Sequence, residues 1–233
     1  MSIESMLTPR LRAIAGCVPF GARVADVGTD HAYIPVYLST IGQIESALAM
    51  DIKPGPLLRA EQNISRFGLQ ENIKTRLSDG LKELKPGEAD TAVIAGMGGL
   101  LIAQILEAAP FALDTYVLQP MTAVAELRAY LEQNGYEITH EVLAKEGRKI
   151  YTVLVVRHGS MKIETPAAYL VGQKLLENRD PLTGALIATL LAKYRRMLSG
   201  LRQAERLDVS EKQTQIADMI KSLESLKEVC DSW

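Results

Sequence analysis

Arg23-Val24-Ala25-Asp26-Val27-Gly28-Thr29-Asp30-His31-Ala32-Tyr33 is the stretch from which the fold of this chain can be read. Val24, Ala25 and Val27 make a short apolar run suited to a buried strand, and a helical pattern begins near Tyr33. A strand that runs through a glycine into a helix is the ligand-holding turn of open α/β folds, where the ligand lies beyond the carboxyl ends of the strands. Gly28 lets the backbone approach a ligand closely because no Cβ stands in the way. Asp26 and Asp30 bring carboxylates to the same turn. They would repel a phosphate but hold an ammonium group or ribose hydroxyls. The charge argument leads away from nucleotide phosphates and toward a cationic, sugar-bearing cofactor such as S-adenosylmethionine.

The pattern repeats outward from this turn. Before it, Thr8 can cap a helix with Pro9 in its first position and Leu11, Ile14 and Ala15 on its apolar side. Arg10 or Arg12 on that helix is a candidate partner for a cofactor carboxylate, or the helix simply covers the sheet. After it, a helix carrying Ile34, Tyr37, Leu38 and Ile41 closes at Gly42, and strand Ser46–Met50 ends in Asp51. Asp51 lies 23 positions beyond Gly28, near the offset of roughly 20 at which such folds set a ribose-binding carboxylate. The other reading is a cap for the next helix, expected from about Pro56 to Phe67, but the ribose role repeats the logic of the first strand. Strand Ile73–Leu77 leads into Ser78-Asp79-Gly80, so three successive strands end in aspartate. Asp79 can accept a hydrogen bond from an adenine amino group.

Strand Asp90–Ala95 opens into Gly96-Met97-Gly98-Gly99 and a helix from Leu100 to Ala108. The glycines leave room for a planar base. A phosphate-binding loop is the other reading, although the Gly-Lys-Ser/Thr ending is missing. Strand Thr115–Pro120 and a helix ending at Asn134-Gly135 follow. Tyr136–Leu143 and Ile150–Val156, joined by a turn at Lys145–Lys149, predict a terminal hairpin. The order favours a mostly parallel sheet of seven strands with one antiparallel member.

Beyond Gly159 the chain changes character. Residues 161–166 read as a linker, which divides a domain at 1–160 from a helical domain at 161–233. Leu182, Leu186, Leu190, Tyr194, Met197 and Leu201 form one helical stripe, and Ile216, Met219, Leu223, Leu226 and Cys230 form a second with coiled-coil spacing. A turn at Asp208-Val209-Ser210 would make the pair an antiparallel hairpin. Lys193, Arg195, Arg196, Arg202 and Arg206 lie on its first helix with only Glu205 opposing them. This face is a solvated surface, a dimer contact, or a surface that positions nucleic-acid phosphates without reading sequence.

Composition narrows the class. Hydrophobic residues make up 47% and charged residues 23% of 233, ordinary values for a globular protein. A net charge of −2 does not by itself mark a nucleic-acid binder. The two cysteines, Cys17 and Cys230, are far apart, and His31, His140 and His158 lack ligand spacing, so no metal site is expected. The N-terminus does not read as a signal peptide, and no apolar run nears the roughly 18 residues of a membrane helix. The expected location is the cytoplasm.

Thr8-x-Arg10-Leu11, Val24–Pro35, Gly55-Pro56-Leu57, Ser78-Asp79-Gly80-Leu81, Val93–Gly99 and Leu118-Gln119-Pro120 resemble, over essentially the full length, the bacterial TrmK family. These are S-adenosylmethionine-dependent tRNA (adenine-22-N1)-methyltransferases. The resemblance implies a class I, Rossmann-like methyltransferase sheet with a C-terminal two-helix coiled-coil domain, and tRNA as partner, with a monomer favoured. It implies cofactor contacts from Arg10, Asp26, Gly28, Thr29, Asp30, His31, Asp51, Ile52, Asp79, Gly80, Leu81, Gly96, Met97 and Gly98. The target base is expected near Tyr33 and Met97. Asp30 would favour the cationic product or take its proton, and His31 could pass that proton on or merely fix the turn. Lys193, Arg195, Arg196, Arg202 and Arg206 would hold the RNA. The fourth motif differs from the Asn/Asp-Pro-Pro-Tyr/Phe of other amino-group methylases, and backbone carbonyls near Gly96–Gly98 are candidates to grip the adenine instead. The competing classes are a methyltransferase for another acceptor and a non-catalytic cofactor-binding module.

Overall fold

The computed structural model describes residues 3–203 and 210–233. The chain divides into two compact units, Met1–Lys162 and Ile163–Trp233. In the first, a 3-10 turn at Ile3–Met6 precedes α1 (Pro9–Gly16), β1 (Ala22–Val27), α2 (Tyr33–Thr40), β2 (Ile44–Asp51), α3 (Pro54–Arg66) and β3 (Ile73–Leu77). Then come β4 (Thr91–Gly98), α4 (Gly99–Glu107), β5 (Thr115–Thr122), α5 (Val124–Gln133), β6 (Tyr136–Glu146) and β7 (Lys149–His158).

The seven strands form one sheet in the order β3-β2-β1-β4-β5-β7-β6. Strands β1 to β5 are mutually parallel, and β7 runs antiparallel to both β5 and β6. This is the expected Rossmann-like methyltransferase sheet. The chain winds outward from β1 to β3 and returns to β4 on the other side of β1. The direction of winding thus reverses between β1 and β4, where such sheets open a crevice.

Side chains alternate across a sheet covered on both faces. Ala25, Val27, Ile94, Leu118 and Leu154 pack with α4 and α5 residues such as Ile102 and Leu127. Val24, Val93, Val117 and Val153 pack with Ile14, Leu38 and Ile64 of α1, α2 and α3. Thr8 caps α1, its Oγ accepting from Leu11 N at 3.4 Å, with Pro9 in the first turn as expected. Arg128 of α5 and Glu141 of β6 are each 1% exposed and form a buried ion pair at 2.7 Å.

Two local expectations are corrected. The β6–β7 turn is Gly147-Arg148 alone, because Lys145↔Ile150 and Glu146↔Lys149 remain paired in the ladder. Helix α3 begins at Pro54, two residues before the expected Pro56, with proline in its first turn where no N–H partner is needed.

The second unit holds α6 (Pro166–Val171), α7 (Gln173–Glu177), α8 (Thr183–Gln203) and α9 (Ser210–Asp231). The two short helices lie in a stretch the sequence reading had left undivided. Helices α8 and α9 are antiparallel: Arg195 pairs with Glu224 and Gln213 donates to Leu201 O. Their core contains Ile187, Leu191, Ile216, Ile220 and Leu223, flanked by Tyr194, Leu198 and Leu201. The α8 seam thus runs through Ile187 and Leu191 rather than Leu182 and Leu186, and Met197, expected on the seam, is 41% exposed. The expected turn residues Asp208 and Val209 lie outside the described residues.

Candidate active site

A cavity of about 360 Å³ opens at the carboxyl edge of the sheet, at the β1–β4 crevice. Its floor is the end of β1. Gly28 N and Thr29 N both donate to Met50 O, at 2.8 and 2.9 Å, and this folds the chain across β2. Gly28 has φ +74°, and a Cβ there would meet the Met97 methyl at 2.1 Å. Asp26 is 6% exposed, and its carboxyl is pushed up to about 6. Burial is the main cause; the neighbouring Thr29 hydroxyl opposes the rise and the charge of Asp51 adds to it. Thr29 Oγ1 is itself buried without a hydrogen-bond partner of normal geometry. A buried carboxyl and an orphaned hydroxyl beside a glycine turn form a site prepared for a polar, cationic ligand.

The wall after β1 is strained. His31 and Ala32 have φ of +90° and +52°, conformations that cost a non-glycine residue about 1–3 kcal/mol each. Helix α3 holds them: Asn63 Nδ2 donates to His31 O at 2.9 Å, and one turn away Arg59 donates to Asp30 Oδ1 through Nε at 3.0 Å and Nη2 at 2.6 Å. Asp30 is therefore already paired, with the His31 ring 3.6 Å from the same oxygen. The His31 ring stacks on Tyr33 with centroids 5.1 Å apart and planes 12° apart. No sequence pattern had pointed to Arg59 or Asn63. Their spacing of four on one helix face becomes informative only once the His31 turn is known to lie beside it.

Across the cavity, Arg10 Nη1 donates to the buried Gln119 Oε1 at 2.8 Å. The guanidinium lies 5.5 Å from the Tyr151 ring centre, and the Arg10 N–H donates to Glu146 Oε1 at 2.9 Å. Gln119 Nε2 donates to Pro120 O. Gln119 orients Arg10, a role that the Leu118-Gln119-Pro120 segment had not suggested.

The glycine cluster has three separate local causes. The β4–β5 register slips at Gly96, with φ +76°, and again at Met121, so each is the extra residue of a bulge. The Gly96 bulge turns Met97 onto the face of Ile94 and lays its methyl against Gly28. A Cβ at Gly98 would meet Thr122 Oγ1 at 3.3 Å, and one at Gly99 would meet the Ala123 carbonyl oxygen at 2.3 Å. Gly99 is thus required by packing.

Of the residues expected to bind cofactor or base, the cavity brings together Arg10, Asp26, Gly28, Thr29, Asp30, His31, Tyr33 and Gly96. Asp51, Ile52, Asp79, Gly80, Leu81, Met97 and Gly98 do not line it. Asp51 Oδ1 accepts from Lys53 N at 2.8 Å, so it organises the start of α3 as well as standing at a strand end. Ile52 is 59% exposed. Asp79 pairs with Lys82 at 2.5 Å. Leu81 is 2% exposed, its side chain is packed in the core, and its carbonyl accepts from Leu84 N at 3.0 Å.

On α8, Lys193 and Arg196 border an open depression with Ala188, Thr189 and Ala192, and Arg202 is exposed. Arg195 is not an unopposed cation, because Glu224 of α9 holds it at 2.6 Å. Arg206 lies outside the described residues, as does Glu205. Among the described residues no helix is long and apolar enough to cross a membrane, and no cluster of His, Cys, Asp and Glu could hold a metal ion.

Residues 7–154 match the family described as "Methyltransferase domain". The chain is 34% identical over 241 residues to the tRNA (adenine(22)-N(1))-methyltransferase of Bacillus subtilis strain 168, covering 98% of each chain. It superimposes with a TM-score of 0.85 on the crystal structure of the B. subtilis m1A22 tRNA methyltransferase TrmK, at 33% identity over 95% of this chain and 98% of that one. A Streptococcus pneumoniae structure in complex with S-adenosyl-L-methionine matches with a TM-score of 0.79 and 32% identity, over 95% of this chain and all of the other.

Proposed function

Because this chain belongs to the tRNA (adenine(22)-N1)-methyltransferase family, and so transfers a methyl group from S-adenosylmethionine to N1 of adenine 22 in tRNA, we propose the following roles for its residues. The observation that carries them is the buried Asp26 carboxyl beside the Gly28 turn. Asp26 and the orphaned Thr29 hydroxyl receive the ammonium side of the cofactor, and Gly28 gives the backbone its close approach. Arg10, fixed by Gln119, is the counter-charge for its carboxylate. Asp51 takes the ribose hydroxyls, Ile52 offers an apolar surface, and Asp79 with the backbone of Gly80 and Leu81 meets the adenine. Gly96, Met97 and Gly98 border the methionine side.

The bound cofactor supplies an electrophilic methyl group on a sulfonium. Adenine N1 already carries a lone pair, so the protein has no nucleophile to create. Its contribution is position and field. The product base gains positive charge, and Asp30 stabilises it. Because Arg59 already neutralises part of that charge, the Asp30–Arg59 pair must loosen for Asp30 to take a proton. His31 and Tyr33, stacked on each other, offer a flat surface against which the target adenine can rest. N1 is engaged in a base pair within a duplex, so the nucleotide must be unpaired or extruded, at a cost of a few kcal/mol. Lys193, Arg196 and Arg202, with Arg206 beyond the described residues, hold the tRNA while this happens. The tRNA substrate supports a cytoplasmic location.

The test is methyl transfer from labelled cofactor to unmodified tRNA, with nucleoside analysis. Wild type is expected to form N1-methyladenosine. Asp26→Ala should lose it at least tenfold while keeping a cooperative melt. A Lys193→Glu/Arg196→Glu/Arg202→Glu variant should lose tRNA affinity but not cofactor affinity. No methylated base from a wild type that binds cofactor would overturn the reading.

A further inference from the structure

The β6–β7 hairpin carries a second group of positive charges. Strand β7 pairs with β5 only at residues 154–156, whereas β6 and β7 stay paired out to Glu146↔Lys149. Residues 149–153 therefore continue as a two-stranded ribbon beyond the ladder with β5. Strand β6 runs in the same direction as β1, so the turn emerges at the carboxyl edge, on the side of the cavity. Contacts fix this placement: Glu146 accepts from Arg10 N, and the Arg10 guanidinium, a cavity wall, lies over Tyr151 of the ribbon.

Lys145, Arg148 and Lys149 are all exposed at the tip, and none is held by a carboxylate among the described residues. The one acidic residue there, Glu146, is half-buried and is the cross-strand partner of Lys149. Its carboxylate accepts from Arg10 N in the first turn of α1 and forms no ion pair with Lys145, Arg148 or Lys149 among the described residues. The three exposed charges sit at a two-residue turn and the ladder residues that flank it. That arrangement suits an extended polyanion rather than a small anion, and the tip carries no large apolar side chain of the kind that anchors a protein partner.

We propose that Lys145, Arg148 and Lys149 form a phosphate-binding tip that holds the tRNA backbone beside the nucleotide entering the cavity. This rests on the tRNA reading above. The tip would position the strand at the reaction centre, a task distinct from any grip by α8. Its contacts are with backbone, so it contributes little to the choice of base.

The test compares wild type with Lys145→Gln/Arg148→Gln/Lys149→Gln. Binding of unmodified tRNA is measured across salt concentrations, beside cofactor affinity, thermal melting and kcat/KM for methyl transfer. Each lost phosphate contact lowers the slope of log affinity against log salt by about 0.7–0.9. The triple variant should lose about 2 from that slope and at least tenfold in affinity at low salt. Cofactor affinity and melting should be unchanged, and Lys145→Arg/Lys149→Arg should behave as wild type. An unchanged slope in the triple variant, with wild type methylating tRNA normally, overturns the proposal. So does a loss of cofactor affinity in the triple variant, which would mean that the tip acts through Arg10. A wild type that binds tRNA without salt dependence or forms no N1-methyladenosine would instead overturn the tRNA reading itself.

Discussion

Asp26 shows how one residue sets function against stability. Its carboxyl rises from 3.8 to about 6, a difference worth on the order of 3 kcal/mol. The raised value means that the folded chain holds this proton more tightly than the unfolded chain. Folding stability is therefore highest below the unfolded value, falls as pH rises from about 4 to about 6, and carries the full penalty above that. Asp26→Asn should then melt higher than wild type at neutral pH, with the advantage fading by about pH 4, and should bind cofactor poorly at every pH. In the wild type, a cationic ligand prefers the ionised carboxylate. Cofactor affinity should weaken below about pH 6, and calorimetry in buffers of different ionisation enthalpy should detect proton release on binding. An aspartate at a strand end is legible from sequence. Its burial is not, because burial depends on how α1 and the Thr29 turn close over it.

At the scale of elements, the parts set by local pattern were legible and the parts set by register were not. The Val24–Val27 run, the Thr8-Pro9 cap and the three aspartate-ended strands all announce themselves through alternation and capping chemistry. The bulges at Gly96 and Met121 do not, since a bulge adds one residue to one strand and leaves the composition unchanged. The hairpin turn was misread for a related reason. Lys145 to Lys149 is polar enough to be loop, yet the ladder continues through it to a two-residue turn. The α8 seam was misplaced at its start because adjacent leucine and isoleucine residues offer two stripes one position apart. The α5–β6 connection depends on a pair no periodicity predicts, Arg128 with Glu141. Arg128→Met should destabilise the protein by about 3–5 kcal/mol in urea unfolding, because it removes one partner of a buried ion pair and leaves the other in the core. Arg128→Met/Glu141→Leu should recover most of that loss.

For the whole molecule, a net charge of −2 conceals how the charges are arranged. Cations occupy α8 and the hairpin tip, while carboxylates gather at the strand ends, so the totals nearly cancel although each region carries a definite sign. Composition therefore said little about a polyanionic substrate, and the contacts Arg195–Glu224 and Arg59–Asp30 could not be read from spacing because each joins separate helices or loops. The same view of the molecule bears on its chemistry under peroxide. Burial pushes the Cys17 thiol up to about 11 and also raises Cys230, so neither offers much reactive thiolate. The thioethers are the exposed flank. Met121 is 42% exposed, with its sulfur 3.7 Å from the Gln119 amide that orients Arg10, and Met97 lies against Gly28. Conversion of either to the sulfoxide would set a polar oxygen beside the cavity. Peroxide-treated protein should lose methyl transfer in step with sulfoxide at these two positions, and methionine sulfoxide reductases, rather than a thiol reductant, should restore it.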